Sequence, residues 1–134
     1  MSPFRAPRRA PGWVRDLELI DTVLRTHPAV TRQLVTVMAE VLAGRDSPLS
    51  AEQWLRAVFV QQTSGYDDTE MGFMLNDSKA CRAFCGLVDL QIPQASIDAI
   101  LRRVDEITWT RLEQTLLPYM QGAWKKRYHE RIPG

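Results

Sequence analysis

The chain has 134 residues, 45% of them hydrophobic and 25% charged, with a formal net charge of +1. That length suits one domain with a buried core, and the composition is ordinary for a globular protein, not a fibrous or disordered one. No stretch approaches the ~20 consecutive apolar residues of a membrane-spanning helix, and the basic first residues lack the roughly 7–15-residue apolar run of a secretory signal.

Residues 1–12 set Pro3, Pro7, Pro11 and Gly12 among arginines, which predicts a flexible basic arm. Leu17, Ile20, Val23 and Leu24 then mark one face of a first helix that should stop near His27-Pro28. Val30, Leu34, Val37, Met38, Val41 and Leu42 continue at helical spacing until Gly44. Ser50 with Gln53 three residues on fits a capping box for a third helix striped by Trp54, Leu55, Val58 and Phe59 and ended by Ser64-Gly65. Asp67 with Glu70 repeats the cap, and Met71, Met74 and Leu75 give a short fourth helix its inner face.

Asn76-Asp77-Ser78 should break and recap the chain before a fifth helix lined by Ala80, Cys81, Phe84 and Leu87. Pro93 suits the first turn of a sixth, expected to reach Ile107 with Ile97, Ile100, Leu101 and Val104 inside. Thr108 is the expected cap of a last helix carrying Trp109, Leu112, Leu116, Leu117, Met120 and Trp124, with a kink at Pro118. Period-two alternation is nowhere sustained. The expected fold is all-α: a compact bundle of six or seven helices over residues 13–124, with an interrupted helix-turn-helix.

Charge is segregated along the chain. Arg5, Arg8, Arg9 and Arg15 precede any acid, and Lys125, Lys126, Arg127 and Arg131 in the C-terminal tail (125–134) face Glu130 alone. Between them nine cations against fifteen acids leave −6. An acidic body with basic ends suits arms that track nucleic-acid phosphates; solvated termini are the plainer alternative.

Little in the chain points to catalysis. Cys81 and Cys85 share a helix face, but neither His27 nor His129 has the spacing to complete a metal site, so buried inert thiols are expected. Asp67, Asp68 and Glu70 are explained by helix-start chemistry. Trp54, Trp109 and Trp124 fall on apolar stripes. Trp13 should pack, with stacking on a base or partner as the alternative, and His27 should cap a helix end. No Ser-His-Asp order, phosphate-cradling glycine loop or metal-ligand cluster can be assembled, so no cofactor is expected.

The pair of short helices from Asp67 and from Pro93 is where DNA readout would lie, since the second helix of a helix-turn-helix enters the major groove. Gln94, Ser96, Asp98, Arg102 and Arg103 fall off its apolar stripe, and Gln and Arg suit base edges. Against them, Asp98, Asp105 and Glu106 outweigh the two arginines.

The order of pieces resembles the N-terminal domain of bacterial insertion-sequence transposases. Matching positions are Val58 to Val60, Gly65-Tyr66, Asp67 and Glu70, then Asp77-Ser78, Arg82, Phe84-Cys85-Gly86-Leu87, and Pro93 with Ser96. The similarity runs from about Leu17 to Leu117. It implies a module that holds double-stranded DNA at a transposon terminal inverted repeat, with the bacterial cytoplasm and nucleoid as its location. Arg5, Arg8, Arg9, Lys125, Lys126 and Arg127 would then grip phosphates, and Gln94, Ser96, Arg102 and Arg103 would face bases. Family members usually open the last short helix with a hydroxyl pair, where this chain has Ala95-Ser96-Ile97. They continue into a ribonuclease-H-like catalytic domain that these residues do not contain, so no enzymatic activity is expected. The alternative is a protein-interaction module, including a homodimer, without nucleic acid.

Overall fold

Seven α-helices and one 3₁₀ turn account for residues 12–120, the part of the chain described by this computed structural model, and no strand occurs among them. α1 (Trp13–Thr26) and α2 (Pro28–Leu42) meet at His27, with Pro28 in the first turn of α2, where its missing N–H costs nothing. His27 makes no side-chain cap bond. Its ring instead lies 4.8 Å from that of Tyr119.

α3 (Ala51–Ser64) is the central element, packed by α1, α2, α4 and α5. Its capping box is complete: Gln53 N donates to Ser50 Oγ, and Ser50 N donates to Gln53 Oε1. Nine of its fourteen residues are buried, far more than one amphipathic stripe would place inside. The last of them, Thr63 and Ser64, satisfy their hydroxyls on the carbonyls of Phe59 and Val60 one turn back. Gly65, at φ 78°, then ends the helix in a conformation that a side chain would strain. Trp54 and Trp109 are core residues as expected, and Trp109 meets Phe59 edge-on at 5.9 Å. Trp13 packs edge-on against Tyr66 at 6.0 Å.

α4 (Asp68–Asp77) has the second complete capping box, Asp67 with Glu70. It runs two residues beyond Leu75, so the break falls at Ser78 alone. Ser78 caps α5 (Lys79–Cys85), which Gly86 ends at φ 69° while Leu87 N bonds back to the Arg82 carbonyl. α6 is shorter than its pattern suggests, Gln94–Leu101. Val104 keeps the helical spacing of the apolar stripe, but the chain turns at Arg102-Arg103. Asp105 rather than Thr108 caps α7 (Glu106–Leu116): its carboxylate accepts Thr108 N at 2.8 Å, and that bond holds the acid below the usual carboxylate range. Pro118 produces no kink in a continuing helix. α7 stops at Leu116 and the chain tightens into the 3₁₀ turn Leu117–Tyr119. Trp124 lies outside the described residues.

Candidate nucleic-acid interface

α4 and α6 pack against each other at Gly72. A Cβ on that residue would overlap the side-chain oxygen of Gln94, so glycine lets the two helices approach closely. Gln94 uses the space to bridge them, its Nε2 donating to the Asp68 carbonyl at 2.9 Å and to Asp98 Oδ1 at 2.8 Å. Gln61 on α3 donates to Asp68 Oδ1 at 2.7 Å and fixes α4 from its other side. The start of α6 is thus held by hydrogen bonds within the protein.

The loop from Leu87 to Pro93 is stitched down by two polar side chains. Asn76 Nδ2 donates to the carbonyls of Gly72 and Ile92, while its Oδ1 accepts Ile92 N at 2.7 Å. Arg82 Nη1 donates to the carbonyls of Leu75 and Leu90, both at 2.9 Å. These residues set the angle at which α6 leaves the loop. Reading Asn76 as a breaker in a turn missed it; a polar triplet gives no hint of partners sixteen residues away.

The four base-readout candidates separate in the structure. Gln94 is exposed but engaged as described, and Ser96 is half-buried. Arg103 is exposed, yet its Nη1 donates to the Val41 carbonyl at 2.7 Å, supplying a partner to the last turn of α2. Arg102 is exposed, and its guanidinium has no hydrogen-bond or ion-pair partner among the described residues. The phosphate-gripping candidates Arg5, Arg8, Arg9, Lys125, Lys126 and Arg127 lie outside the described residues.

Other cations are spent inside the fold. Arg56 is largely buried; it bonds Asp21 at 2.9 Å and the Phe84 carbonyl at 3.0 Å, and its guanidinium sits 4.9 Å over the Phe84 ring. Burial opposes the Asp21 charge, but bonds and charge from Arg56 and Arg25 outweigh it and hold that carboxyl below its usual range. Arg111 on α7 pairs with Glu40 on α2 at 2.8 Å, lowering the acid chiefly through that bond.

Cys81 and Cys85 are free thiols in the core. Burial pushes Cys81 up to about 11, Cys85 still further in the same direction, and thiolate is what reacts. Both thiols should therefore resist an aromatic disulfide reagent near pH 8 in the folded protein and titrate fully in denaturant. Rapid labelling of the native chain would contradict this packing. Among the described residues no cluster of His, Cys, Asp or Glu could hold a metal ion, and no helix is long and apolar enough to cross a membrane. No family model, curated protein or solved structure matches the chain.

Proposed function

We propose that the chain is a double-stranded-DNA-binding module of the kind that holds transposon ends in insertion-sequence transposases, working in the bacterial nucleoid with no catalytic step of its own. The observation that carries this reading is Arg102: an exposed guanidinium without a protein partner at the end of α6, beside a second arginine, in the element that the resemblance assigns to readout. The rigid seating of α6 on α4 supports it as well, because base contacts need a fixed helix. The basic chain ends add sequence-independent attraction that an acidic body would otherwise oppose.

The test is Arg102→Ala against duplexes selected from a random pool. A lost arginine–guanine contact should reduce discrimination by roughly 1–3 kcal/mol, about 5- to 150-fold, with the melting temperature unchanged. Arg103→Ala should behave differently and lower stability by about 0.5–1.5 kcal/mol, because it leaves the Val41 carbonyl unpaired. If the unaltered chain retains no duplex at low salt, or Arg102→Ala keeps full preference, the reading fails.

A protein-docking role is favoured by one observation. Phe73, Val88 and Ile107 are 67%, 78% and 75% exposed, large for apolar side chains. Loss of self-association on Phe73→Ser, seen by light scattering, would support that second reading.

A further inference from the structure

The geometry points to the groove between α2 and α7 as a seat for the phosphodiester backbone of a nucleic-acid strand, an inference that rests on the DNA-binding reading above. Two hollows run between these helices and share Val37 and Arg111, so they form one continuous track. Gln33 on α2 and Gln114 on α7 both line one of these hollows. Arg103, from the α6–α7 turn, closes the other. Arg111 stands in the middle.

The donors suit an oxyanion. Arg111 is half-exposed and presents a planar fork of which Glu40 takes one N–H. Arg103 spends one N–H on Val41 and keeps the rest. The amides of Gln33 and Gln114 have no hydrogen-bond partner among the described residues. Thr36 and Thr115 also line the track, but their hydroxyls already donate to the Arg32 and Arg111 carbonyls. The one acid in the track is Glu40, and it occupies the place on Arg111 that a phosphate oxygen would take.

The dimensions fit as well. From Gln33 to Glu40 α2 rises by about 10 Å, and a strand advances about 3.4 Å of helix axis per phosphate, so roughly three phosphates would lie along the groove. A lone small anion would need only the donors around Arg111. Donors spread along both walls suit a strand.

Glu40 then acts as an internal competitor, which makes the idea testable by gain as well as loss. Binding of a labelled mixed-sequence duplex is measured over a salt series for the full chain. Glu40→Gln frees Arg111 and should tighten binding and steepen the slope of log affinity against log salt by up to about 0.9, one phosphate contact. Arg111→Gln should weaken binding and flatten the slope by a similar amount. Gln33→Glu with Gln114→Glu should weaken it further at low salt. Melting temperatures of Glu40→Gln and Arg111→Gln should stay close to that of the unaltered chain, since an exposed pair contributes little.

If duplex binds the unaltered chain but neither Glu40→Gln nor Arg111→Gln moves the slope, this inference falls and the DNA-binding reading stands. If no duplex binds at all, both fall. Inorganic phosphate, followed by amide shifts at Thr108 and Arg111, separates the remaining case. Shifts that vanish in Arg111→Gln while the duplex slope is unchanged would make the groove a small-anion site and overturn the proposal.

Discussion

Asn76→Ala is expected to lower the unfolding free energy by about 3 kcal/mol, the largest effect of any single polar substitution considered. The side chain makes three hydrogen bonds, two of them to the backbone of Ile92. Alanine would leave the Ile92 N–H and carbonyl and the Gly72 carbonyl without that partner, each costing roughly 1 kcal/mol. Set against a typical total of 5–15 kcal/mol, that is a melting-temperature drop on the order of 10 °C. The loss should be local first. Ile92 is buried, and the segment from Leu87 to Pro93 delivers the chain into α6, so amide exchange should accelerate there before the core opens. A loss below 1 kcal/mol would mean that the apolar side chain of Ile92 holds this segment by itself. The variant should also bind DNA less specifically, because α6 would lose its fixed seat on α4.

Replacing Arg5, Arg8 and Arg9 together with alanine should weaken binding to every duplex alike. Three phosphate contacts contribute about −2.7 to the salt slope, so between 50 and 200 mM salt the unaltered chain would lose about 40-fold more affinity than the variant. Stability should not change, and neither should sequence preference, since phosphate contacts position a protein without reading bases. This separates the arm from Arg102, whose removal should alter preference while leaving most of the salt slope in place. An unchanged slope would show that the arm takes no part and would move attention to the Lys125-Lys126-Arg127 tail.

Elements that rest on short-range chemistry were legible in the order of residues alone. Ser50–Gln53 and Asp67–Glu70 formed the reciprocal caps that their spacing implied, because each box closes within one turn and needs nothing from the rest of the chain. The apolar stripes of α1, α2 and α7 were legible for the same reason, and the all-α class followed from them. What lay between tied elements was not legible. Thr108 read as the cap of the last helix, but the Asp105 carboxylate, three residues earlier, took the position. Arg103 read as a free cation until its guanidinium met the end of α2, 62 residues away in sequence. Gln94 read as a base-facing amide until the bare backbone of Gly72 let α4 come close enough to engage it. Whether a polar side chain is available to a partner depends on which backbone groups the fold leaves unpaired beside it. That is a property of the assembled helices, and spacing along one helix carries no record of it.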